Sequence, residues 1–218
     1  MRDGEPLILW DWTFSHIPDI WHRVLEHLEL TAIAVGLGFV LAFGLSLLIR
    51  RVPALYSPVT WVTGVLYAIP SLALFALLIP FTGLSIVTAE IGLVSYTLLI
   101  LVRNIVGGLR SVPPDVREAA VGMGYSQWQL LWRIELPLAL AVIIAGLRVA
   151  VVTTVGLVTV TALIGQGGLG ALIIQGIQQF FATPLVIGAG LSIALAILLD
   201  GALVLIQRQV TPWTRRAV

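Results

Sequence analysis

The sequence predicts an all-α, polytopic membrane protein built as one transmembrane domain over residues 1–218. Three observations predict it. Hydrophobic residues make up 59% of the chain and the mean hydropathy is +1.04, whereas charged residues make up 11%, against about 25% in an ordinary soluble domain. Five segments, near 28–49, 59–78, 84–106, 138–164 and 185–206, reach the roughly 20 apolar residues that a helix needs to cross a bilayer. All 12 basic residues are Arg, and all but Arg148 gather around the segment ends. With five spans, Arg50, Arg51, Arg103, Arg110, Arg117, Arg133, Arg208, Arg215 and Arg216 fall on one side, and Arg2 and Arg23 on the other. The positive-inside rule then places the N-terminus outside and the C-terminus in the cytoplasm of a cell-membrane protein.

The first 27 residues form an outer segment that is acidic and aromatic. It lacks a charged start followed by a small-residue cleavage site, so no removable signal peptide is expected and the first span directs insertion itself. Between residues 19 and 29, Ile20, Trp21, Val24, Leu25 and Leu28 interleave with His22, Arg23, Glu26 and Glu29 at helical spacing. An interfacial amphipathic helix is expected there, with a plain extension of the first span as the alternative. His16, His22 and His27 have poor spacing for a metal site, and none is expected. The absence of Cys excludes disulfides, thiol nucleophiles and thiolate metal sites.

Residues 107–137 interrupt the apolar pattern with a polar, Arg-bearing loop. Pro114 suits the first turn of a helix, and Asp115 and Glu118 complement its positive end. Gly122 and Gly124 offer the left-handed backbone that stops a helix. Ser126 followed by Gln129 is a capping box that starts a second helix, and Pro137 is expected to open the fourth span. The reading is a rigid knob of two short helices joined by a glycine turn, shaped to dock into a partner.

The loop carries Glu118, Ala119, Ala120, three residues, Gly124, nine residues, then Ile134, any residue, Leu136 and Pro137. This pattern resembles the cytoplasmic coupling motif of ABC importer permeases. The flanking runs Ile69-Pro70-Ser71-Leu72-Ala73-Leu74, Val102-Arg103-Asn104, Glu135-Leu136-Pro137-Leu138-Ala139-Leu140, Ala145-Gly146-Leu147-Arg148 and residues 162–170 are similar to the osmoprotectant branch, the permeases for glycine betaine, carnitine, choline and proline betaine. The resemblance covers roughly residues 28–207. It implies a methionine-permease-like fold, a second permease subunit, identical or paralogous, two cytoplasmic ATP-binding subunits and an extracytoplasmic solute-binding protein. It implies no cofactor in this chain, with ATP and Mg bound by the ATPase subunits, and no nucleic-acid partner. Glu118, Ala119, Ala120 and Gly124 would fit the ATPase cleft, and Ile134, Leu136 and Pro137 would pass the movement into the fourth span. The solute within the importer class stays open, an amino acid or a thiol-betaine being the alternative.

Residues 165–183 begin with Gly165, Gly167, Gly168 and Gly170 and continue as an apolar run too short to cross. A short outer helix is expected, either a gate element or a packed connector. The glycines lack the spacing and the Lys of a phosphate loop, so no ATPase activity is expected in this chain.

Three ionisable residues lie inside the spans, where charge is expensive and faces the protein interior: Glu90, Arg148 and Asp200. Arg148 and Asp200 fall at similar depth in consecutive antiparallel spans, so a buried salt bridge is expected, with direct solute contact as the alternative. The seven Trp cluster near span ends as lipid anchors. A membrane-embedded hydrolase would need a nucleophile with His near the spans, yet all three His precede residue 30, and an ion-coupled carrier would show two repeats with broken helices. Neither pattern is present.

Overall fold

The computed structural model describes residues 7–213, so Arg2, Arg215 and Arg216 of the charge argument lie outside the described residues. All regular structure among the described residues is helical: α1 Trp10–Ser15, α2 Ile17–Arg51, α3 Tyr56–Ala68, α4 Ser71–Thr82, α5 Ile86–Arg110, α6 Pro114–Gly122, α7 Gln127–Leu130, α8 Leu136–Thr161, α9 Leu169–Gln178 and α10 Ala182–Val210. Among the described residues four helical stretches are long and apolar enough to cross a membrane, and a bent pair brings the number to five if it is counted as one span.

The expected interfacial helix near the N-terminus is not a separate element. α2 runs unbroken for 35 residues, about 52 Å, so its first turns extend span one beyond the roughly 30 Å hydrocarbon layer. Pro18 sits in the first turn, where its missing N–H costs nothing, and no breaker follows strong enough to end the helix. The short α1 precedes it and is tied to the start of α10, with Leu9 N–H donating to Thr183 Oγ1 at 3.0 Å.

The second span is also not the straight helix expected over 59–78. It consists of α3 and α4, preceded by a tight turn at Pro53–Leu55 and bent by 98°. Pro70 is the cause. It disfavours helical backbone in the residue before it, and Ile69 accordingly has φ −67° and ψ 129°. The Ile69 carbonyl, at the helix end, accepts a hydrogen bond from the Tyr96 hydroxyl of α5.

α5 is the central pillar, packed against α2, α3, α4 and α8. Small residues let the backbones approach: a Cβ on Gly38 of α2 would lie 1.9 Å from Thr97 Oγ1, and one on Gly146 of α8 would lie 2.3 Å from Asn104 Cβ. The main apolar core, including Ala42, Ile49, Leu101, Val102, Ile105, Ala139 and Ile143, fills the space between α2, α5 and α8 at the end that carries the polar loop.

Pro137 does not open the fourth span. A single helical run extends from Gln127 to Ile164, and Pro137 sits inside it, just after the wide π-turn Leu131–Glu135 in which Leu136 N–H reaches back to Leu131 O. That extra width accommodates a ring that would otherwise collide with the preceding turn. Beyond α8, Gly165 and Gly168 take φ of 78° and 70°, which a side chain resists, and α9 follows as the expected short helix. α10 is the least covered long helix.

Candidate functional site

The polar loop folds as the sequence indicates, with one difference. α6 begins at Pro114 with Asp115 in its first turn. It ends in two bonds, Tyr125 N–H to Ala120 O at 3.1 Å and Gly124 N–H to Val121 O at 2.9 Å. These form the Schellman pattern, in which Gly124 takes the left-handed conformation at φ 82°, whereas Gly122 is an ordinary last helical residue. The capping box is present in both directions: Gln129 N–H donates to Ser126 Oγ at 3.3 Å, and Ser126 N–H donates to Gln129 Oε1 at 2.8 Å.

What fastens this knob is Glu135, the variable position of the motif. The side chain is 4% exposed and accepts from Arg50 Nε of α2 at 2.6 Å. Arg117 Nε of α6 lies 3.4 Å from its other oxygen, close enough to pair but not aligned as a hydrogen bond, and the Arg117 fork also donates to Leu109 O at the end of α5. Arg50 reaches on to Gln127 Oε1 at 3.3 Å. Three segments distant in sequence, the ends of α2 and α5 and the start of the α7–α8 run, are thereby locked to α6. Together they enclose a cavity of about 160 Å³ lined by Arg50, Arg110, Arg117 and Glu135 among others. Arg110 lies over the Tyr56 ring at 4.4 Å and Arg51 over Trp128 at 5.7 Å, so two more cations are held by aromatic faces at this end.

The knob sorts the sequence-predicted residues into two groups. Glu118, Ala119 and Gly124 are exposed on the tip, beside Val121 and Met123 at 53% and 69% exposure. Ala120 is 1% exposed and points inward, so it packs the knob instead of lining a docking face. Ile134 is half-buried, Leu136 is buried within the core and Pro137 is half-buried in the helix that leaves the knob. Glu135, Arg50 and Arg117 were not singled out by sequence reasoning. The available signal was an acidic residue embedded in the Ile-Glu-Leu-Pro run with an Arg-Arg pair ending span one.

Within the spans, Arg148 and Asp200 meet as expected. Arg148 Nε and the terminal nitrogen Nη2 donate to Oδ1 and Oδ2 at 2.7 and 2.9 Å, a bidentate fork. The expectation of burial does not hold in the single chain, because the two side chains keep 32% and 33% exposure. Glu90 lies one turn into α5 with neither carboxylate oxygen hydrogen-bonded, and it does not join that pair.

At the opposite end of the bundle the structure reveals a cluster that the sequence reading missed. Glu26 accepts from Gly168 N–H at 2.9 Å and from Arg23 at 2.8 Å. His27, fully buried, accepts from Leu169 N–H through Nδ1 at 3.2 Å. An accepting Nδ1 is unprotonated, so the proton is on Nε2, which donates to Val155 O at 3.0 Å. The first amides of α9 therefore rest on a carboxylate and a neutral imidazole from α2, a favourable arrangement at the positive end of a helix dipole.

Residues 34–212 match the family of binding-protein-dependent transport system inner membrane components. The osmoprotectant import permease protein OsmW of Salmonella typhimurium strain LT2 is 41% identical over 192 residues, covering 86% of this chain and 89% of that protein. The glycine betaine/carnitine/choline transport system permease protein OpuCB of Bacillus subtilis strain 168 is 32% identical over 194 residues, covering 89% of each. Among solved structures, an inward-facing form of the MetNI methionine ABC transporter aligns with a TM-score of 0.78 at 25% identity, over 86% of this chain and 94% of that one.

Proposed function

From the premise that this chain belongs to the inner membrane components of binding-protein-dependent transport systems, the permease subunits of ABC importers, we propose that it carries quaternary-ammonium osmoprotectants such as glycine betaine, carnitine and choline into the cell. The observation that supports this reading most is the 41% identity over nearly the whole chain to a permease whose name gives osmoprotectants as its cargo. The chain acts as a conduit, and ATP is hydrolysed on separate subunits.

Two copies, or this chain and a paralogue, face each other around a central route, with two ATP-binding subunits beneath and a solute-binding protein above. Glu118, Ala119 and Gly124 present the knob tip to the ATPase cleft, where small residues allow close approach and Glu118 accepts charged hydrogen bonds. Closure of the ATPases draws the knobs together. Because Glu135 ties the knob to α2 and α8 at once, the pull reaches two spans as a rigid-body tilt, alternating access between the two sides. The arginines support the proposed orientation: Arg50, Arg117 and Glu135 meet at one end, and Gln207, in the last turns of α10, reaches Ala141 O at that same end, 3.2 Å away. That end is cytoplasmic by the positive-inside rule, with the N-terminus outside.

The test is to purify the complex with its cognate binding protein and measure which ligand stimulates ATP hydrolysis. Stimulation by glycine betaine, carnitine or choline is expected. Stimulation only by an amino acid or a thiol-betaine replaces the cargo while keeping the importer. A reporter fused to the C-terminus should remain in the cytoplasm, and its export would overturn the orientation.

A further inference from the structure

We infer that the Arg148–Asp200 pair is a solute-contacting element of the route, and that its two charges select a zwitterion by offering each end of it a partner. The inference rests on the importer reading above and deepens it.

Arg148 lies about 18 Å along α8 and Asp200 about 15 Å from the end of α10, so both are near mid-membrane. Each side chain keeps about a third of its surface open, at 32% and 33%. Ionised groups at that depth face protein or water and not hydrocarbon, so the open side of the pair does not belong to lipid. The pair also leaves chemistry unused: Asp200 occupies one edge of the guanidinium, and the other N–H donors of Arg148 meet no acceptor among the described residues. Beside the pair, α8 turns outward Val149 and Val152, 54% and 41% exposed, and Gly156, around which there is open space. The surface is therefore a cation and an anion set against a smooth apolar strip.

A solute with a carboxylate and a methylated ammonium matches it group for group. When such a zwitterion enters, Arg148 exchanges Asp200 for the solute carboxylate, and Asp200 exchanges Arg148 for the cationic head, whose methyls lie on the valines. Every charge is compensated before, during and after passage, which keeps the desolvation cost of the occupied state low. A simple cation gains only half of this, because opening the pair for it leaves Arg148 without a carboxylate; choline, the one proposed cargo with no carboxylate, is therefore expected to be held more weakly here than the zwitterions.

The chain has no Cys, so Val152→Cys is the single thiol that this subunit brings to the assembled transporter, and labelling is read on this subunit's band. In the nucleotide-free complex, a water-soluble maleimide is expected to label it. Glycine betaine at ten times its dissociation constant is expected to slow labelling about tenfold by occupancy, and tetramethylammonium at the same concentration to leave it unchanged. Arg148→Gln should abolish that protection while Arg148→Lys retains part of it, each compared at equal amounts of assembled complex. Should Arg148→Gln not assemble, Asp200→Asn provides the same loss-of-protection reading.

A Val152→Cys that never labels overturns the inference and marks the face as a contact between permease subunits. Equal protection by both compounds, or protection that survives Arg148→Gln, also overturns it. These results leave the importer reading standing if the parent complex is stimulated by osmoprotectants; if no osmoprotectant stimulates it, that reading fails and this inference with it.

Discussion

At the end of the bundle that carries the knob, the fastening is between full charges: the Glu135 carboxylate holds Arg50 and Arg117, and aromatic faces hold Arg51 and Arg110. At the opposite end, Glu26 and a neutral His27 hold main-chain groups of the loop and helix that follow span four. The two fastenings differ in what they make rigid. The first ties four segments together and leaves the tip of α6 exposed. The second fixes the position of one short helix through its own amides, by single hydrogen bonds to a carboxylate and an imidazole that water can replace when the cluster opens. In the proposed importer the knob end would transmit force as a unit, and the opposite end would separate without stranding an ion, because Glu26 keeps Arg23 on its own helix.

If that contrast is right, the largest loss comes from Glu135. Removing it leaves Arg50 and Arg117 facing each other without their anion, and breaking a buried pair costs ~3–5 kcal/mol. The lower end applies, because Arg50 keeps 21% exposure and some access to water. Glu135→Gln should therefore sharply reduce the amount of folded permease recovered in detergent and lower its thermal midpoint. Parent-like yield and midpoint would show that the ion cluster is not what holds the knob.

The tip should behave in the opposite way. Gly124 sits at φ 82°, where a β-branched side chain is strained by ~1–2 kcal/mol, and the strain falls on a surface turn. Gly124→Val, and independently Glu118→Lys, should leave insertion and yield nearly intact while abolishing uptake and solute-stimulated ATP hydrolysis. Unchanged uptake in both variants would remove the docking role from this loop.

The difference between the ends also explains what the sequence revealed. The knob was readable because its signals are local: Pro114 at a helix start, Gly124 at a left-handed stop and Ser126 with Gln129 in a capping box all act within a few residues. The Arg148–Asp200 pair was readable because span lengths convert directly into depth. Glu26 and His27 were not, because their partners are the amides of Gly168 and Leu169, 142 residues away and carrying no side-chain signature. The bend in span two was hidden for a related reason. Pro70 was visible, but apolar content on both sides continues through it, and hydropathy registers composition without direction.

At the end opposite the knob, His27→Leu keeps the volume and removes both bonds. The Leu169 N–H is then orphaned in a buried site, at ~1–3 kcal/mol for the unsatisfied group, whereas the Val155 carbonyl keeps its place in the α8 ladder. Hydrogen exchange should rise in residues 165–172 and remain unchanged in residues 114–130, because the two fastenings are independent. Faster exchange at both ends would show that the bundle opens as one piece and that the contrast between its ends is false.

The smallest effect is expected at the bend of span two, between the two ends. Tyr96 donates its hydroxyl to the Ile69 carbonyl and sets its ring 5.8 Å from Tyr67. Tyr96→Phe keeps the ring packing and removes only the donor, which stabilises by ~0.5–1.5 kcal/mol. The backbone course at Ile69 is imposed by Pro70, so the 98° bend should persist and the thermal midpoint should fall by only a few degrees. Pro70→Ala is the sharper companion, since it restores an N–H and lifts the restriction on Ile69. If Tyr96→Phe alone straightens the pair, as judged by a changed distance between spin labels on α3 and α4, then the hydroxyl and not the proline sets the bend. The break would then be a third fastening, of the Glu26–His27 kind, one hydrogen bond from a side chain to the main chain.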